Sequence, residues 1–363
     1  MGKIFNSSFI DKVFVAIVAV ALLIPAMHIN RDGKSITENR MLAVRPELIT
    51  PEHKINSKFG VEYDKWFSDR FFGRDLLIKL YSSQGGSTGS LQVLVENDDW
   101  LFLRTSAALR GYANLDKFTD NELEQIKTYL VDIDDWCKKH NKKFVFFIAP
   151  DKNKIYGEHI TKVIKKFPDS ESRSKQLMDY LRENSNITAI YPYEELHANK
   201  HLGLLYLKND THWNALGAYF GYKEIMKALN ISPLKYTKMK QITYPRSDLS
   251  NMAPNIPEDN STIYSLPDIK KKYDDNCIFN SRDDTHCTNK NYMVNKSVFT
   301  FRDSFSIELG QYYANTFKSV DFRWRVDMQK DDLEYIKDNI DIVILEIVER
   351  NLSGLPFQKF PKD

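Results

Sequence analysis

Short apolar runs alternate with amphipathic stretches between residues 119 and 355. The continuous run at 144–149 is typical of a strand buried on both faces. Further strands are predicted at 187–190, 204–207, 298–300, 318–322 and 342–348. Apolar residues at helical spacing predict helices at 119–140, 176–183, 194–197, 215–229 and 331–337. Thr119 and Glu122 form a capping-box pattern at the start of the first helix. The alternation predicts an α/β domain with a doubly wound, mostly parallel sheet flanked by helices.

Residues 1–30 carry a different pattern. The stretch 13–27, VFVAIVAVALLIPAM, has no charged residue and follows Lys3 and Lys12. A membrane span needs about 20 apolar residues, and the flanking apolar positions extend the stretch toward that length. We expect an uncleaved transmembrane anchor, with a cleaved signal segment as the alternative. Since no second run of this kind follows, the rest of the chain is expected on one side of the membrane.

Two further segments lie outside the predicted sheet. Residues 31–118 are interpreted as a linker and N-terminal cap, with one apolar helix face formed by Tyr63, Trp66, Phe67 and Phe71. Residues 231–296 are rich in Asn, Asp, Ser, Pro and Lys, and are interpreted as an irregular insertion into the 119–355 domain.

Composition limits the classes of function. In 363 residues, 28% are charged and 42% hydrophobic, which is typical of a chain with a buried core. The formal net charge of +2 gives no basic field for nucleic acid, so no nucleic-acid partner is expected. The three cysteines and the histidines lack the spacing of metal ligands, and no metal or cofactor is expected. Cys277 and Cys287 either form a disulfide or remain two free thiols.

Candidate chemistry lies at two predicted strand-to-helix junctions. Asp210 and His212 follow the 204–207 run, and Ser304 follows the 298–300 run. In extended backbone, Asp210 and His212 point to the same side, so the carboxylate can orient the imidazole. A serine activated by such a histidine is the nucleophile of acyl-transfer chemistry. Backbone N–H groups near Ser304 are candidate oxyanion donors.

Each of these residues also has an ordinary structural interpretation. Asp210 could be a helix cap, His212 a surface residue and Ser304 a helix-start serine. Asn214 is a candidate N-cap of the 215–229 helix. Trp213 is interpreted as packing beneath the loop, with sugar stacking as the alternative.

Several short motifs occur together in a fixed order after the apolar N-terminus. They are Glu38-Asn39-Arg40, Trp100-Leu101-Phe102, Pro150-Asp151-Lys152, Asn209-Asp210-Thr211-His212-Trp213-Asn214, Ser247-Asp248-Leu249, Arg302-Asp303-Ser304-Phe305 and Glu349-Arg350. In this combination the chain resembles the alginate O-acetyltransferase (AlgX/AlgJ-like) and DHHW-type group of the SGNH hydrolase superfamily. The chain departs from the common pattern at Arg302, which replaces a frequent glycine and could contact an acidic sugar or be a solvated charge.

The resemblance implies an SGNH hydrolase-like domain over 119–355 with Ser304, His212 and Asp210 as its triad. It implies an O-acetyltransferase that forms an acetyl-serine intermediate and acetylates an extracytoplasmic polysaccharide. Its expected partners are the polysaccharide acceptor and a membrane-bound O-acyltransferase that supplies acetyl groups. Arg302, Trp213 and Asn214 are expected to contact substrate.

The expected location is the inner membrane, with the domain facing the periplasm or the cell exterior. Two alternatives remain open at this point. One is a polysaccharide acetyl esterase on the same triad, and the other is a non-catalytic assembly or binding protein.

Overall fold

The computed structural model describes residues 33–35, 40–49, 55–56, 59–70, 92–161, 171–236, 238–243, 248–252, 262–266, 271, 273–274, 277–279 and 284–361. Two compact units are distinguished, Met1–Leu94 with Ser250–Pro257 and Val95–Leu249 with Glu258–Asp363. The predicted anchor at 1–30 lies outside the described residues. Within the described part of the chain, no helix has the length and apolar character needed to cross a membrane.

The helices and strands follow the chain in this order. The helices are α1 (Phe59–Arg70), α2 (Ser106–Ala113), α3 (Asp120–Lys139), α4 (Lys152–Ile155), α5 (Arg173–Asn184), α6 (Tyr193–Ala198), α7 (Ala215–Ala228), α8 (Asp248–Met252), α9 (Ser306–Thr316) and α10 (Lys330–Asn339). The strands are β1 (Lys34–Ser35), β2 (Arg40–Met41), β3 (Val93–Val95), β4 (Leu101–Leu103), β5 (Lys143–Ala149), β6 (Ala189–Ile190), β7 (Lys240–Thr243), β8 (Thr262–Ser265), β9 (Thr285–Thr288), β10 (Val294–Phe301), β11 (Phe317–Arg323) and β12 (Ile342–Val348). Short 3₁₀ segments lie at Asn97–Asp99, Gly157–His159, Lys200–Leu202 and Glu349–Phe357.

The first unit contains the predicted helix of the 31–118 segment as α1, in which Trp66 is buried. The end of this helix is held by hydrogen bonds to an extended segment: Ala43 N–H donates to Asp69 Oδ2 at 2.8 Å, and Arg70 Nε donates to the Ala43 carbonyl at 3.0 Å. β1 and β2 form a two-stranded antiparallel pair in the same unit.

The second unit is built on a six-stranded sheet with the order β6-β5-β12-β10-β11-β9. All neighbouring pairs are parallel except β11 with β9, so the predicted mostly parallel sheet is confirmed. The interpretation of residues 231–296 as an irregular insertion is wrong at the C-terminal end of that segment. There, β9 adds an edge strand to the sheet, and β10 already begins at Val294. The alternating burial of β9, with Thr285 and Cys287 inward, fits such an edge position.

Helices cover both faces of this sheet. Phe144, Phe146 and Ile148 of β5 pack into a core with residues of α3, α5 and α10. Phe147 points to the other face, where its ring lies 6.2 Å from that of Trp213 beside α7. The predicted capping box begins α3, since the Thr119 side chain accepts from the Glu122 N–H and the Glu122 carboxylate accepts from the Thr119 N–H. The flanking helices are therefore confirmed.

The prediction of a strand at 204–207 is wrong. These residues are largely buried, but within them only Tyr206 forms a bridge, an isolated antiparallel one to Trp213. The Leu205 carbonyl accepts from the Asn214 N–H at 2.9 Å. The run therefore folds back on the loop that follows it, so its apolar side chains anchor that loop without joining the sheet.

The cysteines resolve one open alternative. Cys277 and Cys287 are paired in a disulfide with a Cα–Cα distance of 5.2 Å. Cys137 is free and buried in α3, where it packs in the core beside β5.

Candidate functional site

Ser304 lies in the turn between β10 and α9, at the carboxyl edge of the parallel strands. The turn is held by the side-chain carboxyl groups of Glu346 and Asp303. Glu346 Oε2 accepts from the Asp303 N–H at 3.0 Å and from Ser306 Oγ at 2.9 Å. Asp303 Oδ1 accepts from the Phe305 N–H at 3.0 Å, and its Oδ2 accepts from Val348 N–H at 2.8 Å. Since Glu346 and Val348 belong to β12, these bonds fix the Ser304 turn to the adjacent strand.

Asp210, His212 and Ser304 form one hydrogen-bonded chain. With its proton on Nδ1, the imidazole donates to Asp210 Oδ1 at 2.6 Å, and its Nε2 accepts from Ser304 Oγ at 2.7 Å. Asp210 Oδ1 also accepts from the His212 backbone N–H at 2.8 Å, which fixes the carboxylate within its own loop. The structure thus brings Ser304 next to Asp210 and His212, although Ser304 lies 92 positions after His212 in the sequence.

Electrostatics within this hydrogen-bonded chain favour an ionised Asp210 beside a protonated His212. Burial opposes ionisation of Asp210, but the charge and hydrogen bonds of His212 lower its pKa below the ordinary value. Burial also opposes the imidazolium, yet Asp210 and then Asp248 raise the pKa of His212, while Arg350 lowers it. A raised pKa makes the imidazole a stronger base once it is neutral.

Asp248, at the start of α8, holds the loop that carries Asp210 and His212 by hydrogen bonds to Thr211. Its Oδ2 accepts from Thr211 Oγ1 at 2.6 Å, and its Oδ1 accepts from the Thr211 N–H at 2.9 Å. Asp248 Oδ2 also lies 3.7 Å from His212 Nδ1. Burial, followed by the charge of Asp210, raises the pKa of Asp248 to about 6. Asp248 thus orients the residue between Asp210 and His212 and adds negative field to the imidazole.

Lys152 holds the same loop from the side of the sheet. Its buried Nζ donates to the carbonyls of Leu101, Lys208 and Asp210 at 2.6, 2.6 and 2.9 Å. It also lies 5.3 Å from the ring centre of Trp100. One ammonium therefore ties the β4 segment and two points of the loop together, with all three of its protons used.

Trp213 and Asn214 lie beneath the loop. Trp213 is 1% exposed, and its Nε1–H donates to the Phe305 carbonyl at 2.9 Å. Asn214 is the N-cap of α7, since its Oδ1 accepts from the Leu216 and Gly217 N–H groups at 3.0 and 3.1 Å. The predicted N-cap is confirmed, and the packing interpretation of Trp213 agrees with its burial. Both side chains border the cavity described below, and their role as substrate contacts stays a prediction.

Arg302 is buried on the other side of the turn, with 1% exposure. Its guanidinium carbon lies 5.4 Å from the ring centre of Phe322 and 4.6 Å from that of Trp324. It is therefore not a solvated charge. Because the Arg302 side chain is almost fully buried, it offers no surface to a sugar. A substrate-binding role for Arg302 stays a prediction, and this buried position does not support it.

A cavity of about 360 Å³ lies beside Ser304. Its wall combines apolar side chains, among them Ile242 and Ile263 of the antiparallel β7–β8 pair and Ile307 of α9, with a small polar set. This mixture is typical of small-molecule sites. The polar residues that border it are Asp210, His212, Asn214, Ser304, Glu308 and Gln311.

Asp210, His212 and Asp248 also satisfy the distance requirement of a metal site among the described residues, with potential ligand atoms within 4.8 Å of one another. These atoms are already used inside the protein: Asp210 Oδ1 accepts from the imidazole and Asp248 Oδ2 from Thr211 Oγ1. The donor set therefore fits hydrogen bonding that orients an imidazole.

Sequence reasoning assigned no role to several residues of the site. Asp248, Lys152 and Arg350 lay within motifs that carried the resemblance, and that was the available signal. Arg350 donates to Asp151 Oδ1 at 2.5 Å and lies 5.1 Å from the Phe305 ring centre. Glu308 and Glu346 had no signal, because each is an isolated acid within a predicted helix or strand.

Comparison with known proteins places the chain in a family. Residues 93–294 match the family described as SGNH hydrolase-like domain, acetyltransferase AlgX, which is more than half of the chain. The matched region contains Asp210, His212 and Asp248, while Ser304 follows it. Comparison with curated protein sequences gives no match.

Solved structures show the same fold at low sequence identity. Bacillus cereus PatB1 is 20% identical, with a TM-score of 0.52 over 74% of this chain and 99% of that chain. A DHHW family protein from Eubacterium siraeum is 14% identical, with a TM-score of 0.50 over 68% of this chain and 91% of that chain. The protein belongs to the AlgX acetyltransferase family of SGNH hydrolase-like domains.

Proposed function

We propose that this protein is an O-acetyltransferase that acetylates an extracytoplasmic polysaccharide through Ser304, His212 and Asp210. The observation that carries the proposal is the hydrogen-bonded chain from Asp210 through His212 to Ser304, which ends at a cavity of about 360 Å³. Membership of an acetyltransferase family supports acyl transfer as the reaction.

In the first half-reaction, Ser304 Oγ attacks the carbonyl carbon of an acetyl donor, and His212 Nε2 takes the hydroxyl proton. Asp210 keeps the imidazole oriented and stabilises its positive charge. The tetrahedral intermediate then expels the donor's leaving group, which takes the proton from His212. Among the described residues no protein acceptor takes the Ser304 N–H, so that group is a candidate donor to the oxyanion.

In the second half-reaction, a sugar hydroxyl attacks the acetyl-serine and gives its proton to His212. Collapse of the intermediate releases the acetylated sugar and returns the proton to Ser304. Water in place of the sugar would give acetate, and the enzyme would then be an esterase. The apolar part of the cavity wall favours transfer because it limits the positions that water can occupy beside the ester.

The proposal places the reaction at the periplasmic or outer side of the inner membrane, with acetyl groups supplied by a membrane-bound O-acyltransferase. The disulfide between Cys277 and Cys287 supports an oxidising compartment, since such bonds rarely persist in a reducing cytosol. The family resemblance supports the membrane-bound donor.

The test uses the purified full chain with p-nitrophenyl acetate, with and without an oligosaccharide acceptor. We expect Ser304→Ala and His212→Ala to lower kcat/KM about 10³-fold or more, because residues of a triad act as a unit. His201→Ala is the matched control, since that ring bonds only the nearby Ala198 carbonyl among described groups and is exposed. Equal activity in wild type and Ser304→Ala would contradict the proposal.

A covalent probe identifies the nucleophile independently. One solved structure of PatB1 is described as carrying a sulfonyl adduct. We expect a sulfonyl fluoride to modify this protein at Ser304, as read by peptide mass spectrometry, and to leave Ser304→Ala unmodified.

The product of the assay with the oligosaccharide acceptor separates the two enzymatic functions. Acetylated oligosaccharide as the main product would indicate a transferase, and free acetate would indicate an esterase.

A further inference from the structure

One wall of the cavity carries polar groups that the proposed reaction does not use. Glu308 and Gln311 lie one turn apart on α9 and both border the cavity. Gln311 Nε2 donates to Glu308 Oε2 at 2.9 Å. Neither side chain belongs to the Asp210–His212–Ser304 chain. Together they present a carboxyl group and an amide to whatever occupies the cavity.

Glu308 is electrostatically coupled to the reacting residues. Burial raises its pKa to about 7, and the charge of Asp210 acts in the same direction, while His212 lowers it. Near neutral pH its carboxyl group can therefore act as either a donor or an acceptor of hydrogen bonds. A group of this kind, beside an amide, matches the alternating donors and acceptors of sugar hydroxyls.

The rest of the wall has the other feature that sugars require. Ile242, Ile263 and Tyr264 of the antiparallel β7–β8 pair border the same cavity. The Tyr264 ring packs against Gly203, where an added Cβ would lie 2.4 Å from a ring carbon. Apolar and aromatic surface can cover the C–H face of a sugar ring while polar groups bind its hydroxyls.

The cavity carries a net negative charge once Glu308 is ionised, which requires a pH above its pKa of about 7. Asp210 and Glu308 both border it, and among the described lining residues His212 alone can carry a positive charge. That histidine is already paired with Asp210. A uronate acceptor would place a further carboxylate beside Glu308, and like charges in a site of this kind are costly.

We propose that Glu308 and Gln311 form the acceptor subsite, and that this subsite selects a sugar that presents neutral hydroxyl groups over a uronic acid. The inference rests on the proposed function, because an acceptor subsite has meaning only for a transferase. It concerns recognition, so it can be tested without turnover.

The experiment measures binding to full-chain Ser304→Ala by calorimetry at low ionic strength and at about pH 8.5, where Glu308 is ionised. The probes are two matched pairs of tetrasaccharides, glucose with glucuronate and mannose with mannuronate. We expect at least one neutral probe to bind about tenfold more tightly than its uronate partner. In the Glu308→Gln background the difference should shrink to about threefold or less, because the like charge is gone.

Gln311→Glu is the converse variant. It adds a carboxylate at the neighbouring position and should widen the preference for the neutral sugar. Thermal unfolding of each variant beside Ser304→Ala checks that the fold is retained, and the Gln311→Glu arm decides if Glu308→Gln does not fold. Tighter binding of both uronates, no saturable binding of any probe, or an unchanged ratio in the variants would overturn the inference.

Failure of the proposed function has a different signature. In that case the wild type would show no Ser304-dependent acetyl release or transfer, whatever the binding results. If the wild type transferred acetyl groups but preferred uronates to neutral sugars, only the inference about the acceptor subsite would be overturned.

Discussion

Ser304 and His212 reach the same hydrogen-bonded chain by different structural means. Ser304 follows β10 directly, in the interior of a parallel sheet, and its turn is fixed to the neighbouring β12. His212 follows a segment that is not a strand, and its loop is held by side chains from distant parts of the chain. A strand leads directly into the turn of the nucleophile, and the side chains of Asp303 and Glu346 fix that turn to the sheet. The base has no strand before it, so its loop depends on polar side chains from distant segments.

This difference indicates where the site is sensitive to substitution. Backbone hydrogen bonds of a sheet survive most side-chain changes, while a loop held by one ammonium and one carboxylate loses its geometry when either is removed. A displacement of about 1 Å at a reacting group costs about 10²-fold in rate. The bracing residues of the His212 loop should therefore affect activity more than those of the Ser304 turn.

Among the residues that hold the two sides of the site, the largest effect is expected for Lys152→Met. The substitution keeps an apolar chain of similar length but removes the ammonium donor from the buried Leu101 carbonyl and from the partly buried Lys208 and Asp210 carbonyls. Of these three, the Lys208 carbonyl still accepts from the Leu101 N–H. We expect kcat/KM to fall about 10²-fold and the free energy of unfolding to fall by about 3 kcal/mol. Ester hydrolysis and denaturant unfolding measure the two quantities.

Lys208→Met is the matched control for that experiment. The Lys208 ammonium donates to the Asp98 carbonyl at 2.8 Å in an exposed position, while its backbone carbonyl still accepts from Lys152. Exposed substitutions of this kind change stability by about 0.5 kcal/mol or less. If both variants behaved alike, the loop would not depend on the buried ammonium.

A smaller effect with a distinctive pH signature is expected for Asp248→Asn. The negative charge of Asp248 raises the pKa of His212, and only neutral His212 can accept the proton of Ser304. Activity therefore falls as pH drops through that pKa. Removing the charge lowers the pKa, so the acid limb of the pH–rate profile should move to lower pH. We expect kcat/KM at the optimum to fall by about fivefold, because one hydrogen bond to Thr211 is weakened.

A second histidine–aspartate pair provides the control. Asp321 Oδ1 lies 2.8 Å from His286 Nδ1 in the sheet edge formed by β11 and β9, and neither residue borders the cavity. Asp321→Asn should leave the acid limb in place. An unmoved limb in Asp248→Asn would show that this carboxylate does not act on His212.

The smallest effect is expected on the Ser304 side, for Glu346→Gln. Burial, followed by the charge of Asp303, raises the pKa of Glu346 well above its ordinary value, so the protonated carboxyl group is favoured. A neutral amide of the same shape keeps an acceptor for the Asp303 N–H and for Ser306 Oγ. We expect kcat/KM to remain within about threefold of wild type.

Glu346→Leu tests the same position more severely, since it removes the oxygen that accepts both bonds and leaves the partly buried Asp303 N–H and the buried Ser306 hydroxyl without that partner. It should lower stability by about 2 kcal/mol. A loss of activity in Glu346→Gln as large as that in Lys152→Met would break the comparison between the two sides of the site.

Much of the architecture was accessible from local sequence. The α/β alternation predicted the sheet and its flanking helices, the Thr119–Glu122 capping box predicted the start of α3, and Asn214 predicted the start of α7. The predictions failed where a local pattern has two solutions. The 204–207 run has the composition of a strand, yet it pairs with its own loop, and Thr285–Thr288 joins the sheet from a segment interpreted as irregular.

The sequence by itself determined which groups are available for chemistry, because residue type and spacing already place a serine, a histidine and an aspartate near helix starts. Only the tertiary structure decided how they are held. Lys152 donates hydrogen bonds to carbonyls that are 51 to 58 positions away in the sequence. Every residue has a backbone carbonyl, so the sequence does not indicate which carbonyls a lysine will bond. The burial of Arg302 and the cavity position of Glu308 were decided in the same way, by strands and helices that meet only after the chain has folded.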